Sequence, residues 1–150
     1  MKDKKGFTLV ELLVAIFIAT VVLGALLSVT NYNLVLQETS RNLVIATNDA
    51  RQIMEEARVT PFANIVGTYN NRTFNPTGLD GRIRTTASYV AGSNNTLIDL
   101  RVVVCWRQAN GRIIGEDTNL NGQLDAGEDR NNNGLIDSPA VLNTAIRRAD

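Results

Sequence analysis

The chain has no histidine, one cysteine, three prolines and no lysine after position 5. The missing histidine removes the side chain that most often moves protons near neutral pH and the usual nitrogen ligand of zinc. Histidine-dependent acid–base catalysis and ordinary zinc sites are therefore excluded. A single cysteine, Cys105, excludes an internal disulfide framework. It lies in the apolar run Val102-Val103-Val104-Cys105-Trp106 and reads as a small buried hydrophobe; the alternative is a thiol that pairs with another subunit. Charge is missing from a long stretch as well, since no charged residue occurs from Leu12 to Gln37. The formal net charge is zero, but the charges are partitioned: Lys2, Lys4 and Lys5 precede Gly6, and every later cation is arginine. Between Glu116 and Asp137, six acids stand against Arg130 alone. A segment that acidic attracts cations rather than nucleic acid or anionic lipid. No nucleophile–base set is present, so the chain is read as a non-enzyme. Its 150 residues suffice for one domain with a modest core.

Residues 7–27 form a run long enough to cross a bilayer, roughly 31 Å as a helix. The lysines before it place the amino terminus on the cytoplasmic side and the bulk of the chain across the membrane. An ordinary secretory signal also starts basic and turns apolar, but this run exceeds the usual apolar region of a signal and contains Glu11. A carboxylate there costs several kcal/mol unless it finds a partner. The nearest candidate is the positive terminus of a neighbouring copy of the same helix, which requires cleavage between Gly6 and Phe7.

The segment Lys5-Gly6-Phe7-Thr8-Leu9-Val10-Glu11 resembles the prepilin peptidase site of type IV pilins and type II secretion pseudopilins. The family pattern is a short basic leader ending in glycine, then phenylalanine, then an apolar helix with glutamate at its fifth residue. Every one of those positions matches, and the resemblance is strongest over residues 1–60. It implies that a peptidase cuts after Gly6, that the new amine on Phe7 is methylated, and that Glu11 pairs with the terminal amine of an adjacent subunit. It further implies a structural subunit, of the minor kind, in a type IV pilus or a type II secretion pseudopilus. Its partners would be other pilin or pseudopilin subunits, the prepilin peptidase and the inner membrane. The carboxy-terminal domain would be extracytoplasmic before assembly into the filament. Nothing in residues 60–150 separates pilus from pseudopilus. The competing reading is a single-pass, membrane-anchored, calcium-dependent extracytoplasmic binding module. Residues 7–150 hold twelve arginines and fourteen acids, a net charge of −2, so no nucleic-acid partner is expected.

Beyond the span, Leu36, Leu43, Ala46, Ala50, Ile53 and Ala57 form one helical stripe, with Glu38, Arg41, Asn42, Asp49, Arg51, Glu55 and Arg58 on other faces. Pro61 ends the pattern. The expected helix covers residues 7–58, transmembrane over 7–27 and amphipathic beyond, after a leader of residues 1–6. Residues 60–79, rich in Asn, Thr, Gly and Pro, read as an irregular loop. Alternation then marks a strand from Arg82 to Val90 and another from Thr96 to Arg107 that sets Ile98, Leu100, Val102, Val104 and Trp106 on one face to receive the helix. Asn110-Gly111 signals a tight turn. Ser138-Pro139 could start a helix, but a final strand near Val141–Arg148 is favoured because Ala140–Arg148 resembles the strand that often ends minor pilins. The fold class is α+β: a long helix on a three- or four-stranded antiparallel sheet, the globular β domain occupying residues 59–150.

Within that domain, residues 116–138 carry an EF-hand-like calcium loop inserted between strands. Asp117, Asn119, Asn121, Asp125 and Glu128 stand at positions one, three, five, nine and twelve of the loop, with glycine at six and the carbonyl of Gln123 at seven. Calcium takes six to eight oxygens, and alternate residues can turn inward around it. A second copy follows at Asp129, Asn131, Asn133, Leu135 and Asp137, but Ala140 stands where the closing glutamate belongs. One or two calcium ions are expected, bound modestly, with the second loop the weaker. The bland alternative is a polar loop that solvates itself.

Overall fold

A computed structural model describes residues 8–148. The chain divides into two compact units, residues 1–38 and residues 39–150. Helix α1 (Leu9–Val59) runs through the boundary between them. In the first unit its apolar side chains are exposed from Leu9 to Leu36. This part of α1 contains the one helical stretch, among the described residues, that is long and apolar enough to cross a membrane.

The second unit is built on β3 (Leu97–Arg107). One edge of β3 pairs antiparallel with β2 (Gly81–Tyr89), from Gly81↔Trp106 to Tyr89↔Ile98. β1 (Arg72–Phe74) extends the sheet beyond β2. The other edge of β3 is shared: β4 (Ile113–Ile114) pairs with Trp106 and Arg107, and β5 (Ala140–Arg147) pairs with Leu97 through Val104. The sheet thus has five strands rather than three or four, because two very short ones cap its ends. Its connections are short except between β4 and β5, where residues 115–139 carry both acidic loops.

The face of β3 that carries Ile98, Leu100, Val102, Val104 and Trp106 packs with Ile83 and Ala87 of β2 against Ala46, Ala50, Ile53, Met54 and Ala57 of α1. Three alanines on the helix stripe, all fully buried, leave room for the bulkier strand residues. Leu36 stands outside this stripe, exposed and in the first unit; the contact begins with the half-buried Leu43. Asn42 and Asp49, which the periodicity set on other faces, are buried. Asp49 is tolerated there because its Oδ2 accepts the backbone N–H of Thr77 at 2.7 Å.

Residues 60–79 are more ordered than their composition suggests. Helix α2 (Phe62–Tyr69) starts after Pro61, and β1 follows. Phe62, Ile65, Val66 and Tyr69 follow helical spacing, and all four pack into the core. Four apolar residues at that spacing outweigh the Asn, Thr and Gly between them.

Leu100 is completely buried and Val59 is 85 % exposed. Leu100→Ala should therefore cost about 2–5 kcal/mol of stability, and Val59→Ala less than about 0.5 kcal/mol. Urea titration of the detergent-solubilised chain, followed by fluorescence of its single tryptophan, Trp106, measures both.

Candidate functional site

At the start of α1, Glu11 is already partnered within its own chain. Its Oε2 accepts the backbone N–H of Thr8 at 2.8 Å and the Thr8 hydroxyl at 2.8 Å, and its own N–H donates back to Thr8 Oγ1 at 3.3 Å. This is a capping box, which satisfies helix-end donors that would otherwise lack partners. The signal, threonine three residues before glutamate, was present in the sequence. Gly6 and Phe7, the expected cleavage junction, lie outside the described residues.

The two acidic loops share most of their hydrogen bonds at a shift of twelve residues. Asp117 Oδ1 accepts from Asn121 N–H at 3.0 Å and its Oδ2 from Gly122 N–H at 2.8 Å; Asp129 does the same for Asn133 at 3.0 Å and Gly134 at 2.8 Å. The side-chain amides of Asn119 and Asn121 both donate to Asp125 Oδ2 at 2.7 Å. Those of Asn131 and Asn133 donate to Asp137 Oδ2 at 2.7 and 2.6 Å. Leu120 and Asn132 occupy equivalent positions with φ of 57° and 56°. Gly122, at φ 77°, sits where a Cβ would lie 2.2 Å from Thr73 Cγ2, so this position needs glycine for both conformation and space.

Both loops are closed by a glutamate, but from opposite directions. Glu128 Oε1 accepts Thr118 N–H at 2.7 Å, and its Oε2 accepts Asp125 N–H at 3.0 Å. The equivalents twelve residues on are Arg130 and Asp137. Their N–H groups donate to Oε1 and Oε2 of Glu116, at 3.1 and 3.0 Å. Glu116 therefore takes, for the second loop, the place the spacing assigned to residue 140, while Ala140 is buried in β5. Each glutamate immediately precedes one loop's first aspartate and closes the other loop. The repeated Glu-Asp pair, Glu116-Asp117 and Glu128-Asp129, was the available signal. Linear EF-hand counting looks only forward and misses it.

The double loop lies against the second face of the sheet. Leu120 and Ile136 are buried with Val103 and Cys105, and Ile113, Leu124 and Val141 pack around them. Arg82 Nε donates to the Leu120 carbonyl at 3.0 Å, an Arg84 guanidinium N–H donates to the Gly122 carbonyl at 2.7 Å, and Arg101 forms an ion pair with Asp137. Under this cover burial pushes the Cys105 thiol pKa up to about 11. A Cβ on Gly115 would lie 2.3 Å from its sulfur.

Burying carboxylates has opposite effects across the site. Burial raises the pKa of Asp117 despite its N–H donors, and the nearby Glu128 charge adds to the shift. Burial opposes ionisation of Glu128 too, but the Thr118 hydroxyl and the N–H groups of Asp125, Thr118 and Asn119 outweigh it and hold that carboxyl below its ordinary value. Asp137 is held low chiefly by the Asn131 amide, against burial, with Asn133 and Arg101 assisting. Among the described residues, no group of three or more His, Cys, Asp or Glu is gathered as if to hold a metal ion. The carboxylates instead take up backbone N–H groups, side-chain amides and arginine.

The fold is of the α+β class, a helix whose first part is long and apolar enough to cross a membrane and whose second part packs on a small antiparallel sheet. The amino terminus is more specific: residues 1–27 match the prokaryotic N-terminal methylation motif, the signature of type IV pilins and pseudopilins. No curated protein and no solved structure matches the chain.

The pH dependence of the double loop follows from these shifts. A carboxyl held low stabilises the fold above its ordinary value, and that stability is lost as pH falls through the depressed pKa; Asp117, held high, works the other way. The stability that Glu128 and Asp137 contribute should drop as pH falls below their ordinary values, 4.5 for Glu128, as thermal melting in chelator measures. Glu128→Gln should show a shallower drop in the same melting series.

Proposed function

We propose that the chain is a minor subunit of a type IV pilus or type II secretion pseudopilus, cut between Gly6 and Phe7 and assembled through α1. The observation that carries this reading is the methylation motif over residues 1–27, which includes Glu11 at the fifth position after the junction. Before assembly Thr8 satisfies the Glu11 carboxylate within its own helix. On assembly the carboxylate passes to the terminal amine of a neighbouring subunit, where an opposite charge in apolar surroundings is a stronger partner than a hydroxyl. Mass spectrometry of filament fractions should show loss of residues 1–6 and addition of a methyl group. Glu11→Ala should insert into the membrane normally and enter filaments poorly. Incorporation at the wild-type level would favour the competing reading, a tethered binding module, because a tether does not need that acid.

We propose, independently of that reading, that the double loop binds calcium. Asp117, Asn119, Asn121, Asp125 and Glu128, with the Gln123 carbonyl, would hold one ion. Asp129, Asn131, Asn133 and Asp137, with the Leu135 carbonyl, would hold another. The donor set, oxygens only and mixed between carboxylate and amide, suits calcium rather than a softer metal. Glu116 would complete the second loop as Glu128 completes the first, so that the ions share a cover. Calcium would replace N–H donors that now neutralise buried carboxylates, and would stabilise the folded form by mass action.

Cys105 reports on this cover. In detergent-solubilised full-length chain, calcium should slow its reaction with a thiol reagent relative to chelator, magnesium should do so much less, and Glu128→Ala should abolish most of the difference. Glu116→Ala should weaken the calcium effect while leaving the first loop competent. Equal labelling in calcium and chelator would reduce the segment to a self-bonded polar cover and leave the pilin reading intact.

A further inference from the structure

Three asparagines in this chain are followed by glycine: Asn110, Asn121 and Asn133. Such a pair is prone to an intramolecular reaction, because glycine has no side chain to shield its nitrogen. The glycine nitrogen attacks the asparagine Cγ, ammonia leaves, and the cyclic imide then takes up water to give aspartate or isoaspartate. The reaction requires the glycine N–H to leave its hydrogen bond and the asparagine side chain to turn towards it, so its rate follows how readily the local structure opens.

The three sites are held very differently. Around Asn121, the side-chain oxygen accepts from Gln123 N–H at 2.6 Å and the amide donates to Asp125 at 2.7 Å. The neighbouring Gly122 N–H donates to Asp117 at 2.8 Å in a buried bond. Asn133 repeats all three bonds, to Leu135 at 2.7 Å, Asp137 at 2.6 Å and, through Gly134, Asp129 at 2.8 Å; both asparagines are exposed, but Gly134 is exposed where Gly122 is buried. Asn110 sits on the turn between β3 and β4. There Gly111 N–H donates to the Gln108 carbonyl at 2.8 Å and Asn110 Oδ1 accepts from Arg112 N–H at 3.0 Å. Both bonds are local to the turn, and residues 109–112 are all exposed.

We propose that Asn110 is a site of spontaneous deamidation, and that the hydrogen bonds of the two acidic loops protect Asn121 and Asn133 from the same reaction. Conversion of Asn110 adds one negative charge to an exposed turn, beside Arg112. Conversion of Asn121 or Asn133 would remove the amide that donates to Asp125 or Asp137 and leave two carboxylates face to face. The order of reactivity in the folded chain is Asn110, then Asn133, then Asn121, the reverse of their enclosure.

The test is peptide mapping by mass spectrometry of the full-length chain, incubated in mildly alkaline, calcium-free buffer, with a parallel sample in urea. In urea all three sites should convert at similar rates. In the folded chain Asn110 should keep most of its rate while Asn121 falls behind by more than about tenfold. Conversion of Asn121 or Asn133 as fast as Asn110 in the folded chain would overturn the proposal, and so would an Asn110 that stays intact. Because calcium is absent throughout, the result is independent of whether the loops bind it.

Discussion

A five-residue stretch of β3, Val102 through Trp106, is at most 1 % exposed at every position. Alternate side chains of a strand point to opposite faces, so such a run can be buried only if both faces are covered. A sheet this small has one long helix segment and one short helix to offer, and they cover the face of Val102, Val104 and Trp106. The face of Val103 and Cys105 is left to the segment between β4 and β5, although that segment is mostly Asn, Asp and Gly. It covers the sheet because Leu120, Leu124 and Ile136 supply apolar anchors and three arginines of the sheet grip its carbonyls and Asp137.

That arrangement brings Glu116, Asp117 and Glu128 into the interior, at 7 %, 1 % and 4 % exposure. Buried carboxylates need donors. For Asp117 the loop provides them by turning the N–H groups of Asn121 and Gly122 inward around the positive-φ residues Leu120 and Gly122. Glu128 takes those of Thr118, Asn119 and Asp125, and Glu116 those of Arg130 and Asp137. The first loop is closed by its own Glu128, whereas the second, whose twelfth position is Ala140, borrows Glu116 from just before the first loop, so the second depends on the fold of the first.

A similar constraint acts at the other end of the chain. A carboxylate inside an apolar helix is tolerated only with a partner at hand, and Thr8 provides one within the capping box. The proposed pairing of Glu11 with a neighbour's terminal amine is compatible with this local partner, since the helix end offers donors that no other turn of the helix leaves open.

Residue order alone determined the apolar amino-terminal helix, its misplaced acid and the strand faces of Ile83 to Ala87 and Ile98 to Trp106. These rest on periodicity, and periodicity is local. The repeat at Asp117 and Asp129 was legible for the same reason, since ligand spacing in a loop is read along the chain. Tertiary structure decided what has no local signature. Asn42 and Asp49 are buried on the helix although periodicity set them on other faces, and the loop between β1 and β2 brings the Thr77 N–H to Asp49. Residues 62–69 coil into α2 because the core accepts their apolar side. The unbroken apolar run of β3 announced two buried faces but not what would cover the second. Glu116 closes the second loop only because folding brings it to Arg130 and Asp137, fourteen and twenty-one residues away; the repeated Glu-Asp pair marked it, but counting forward from Asp129 does not reach it.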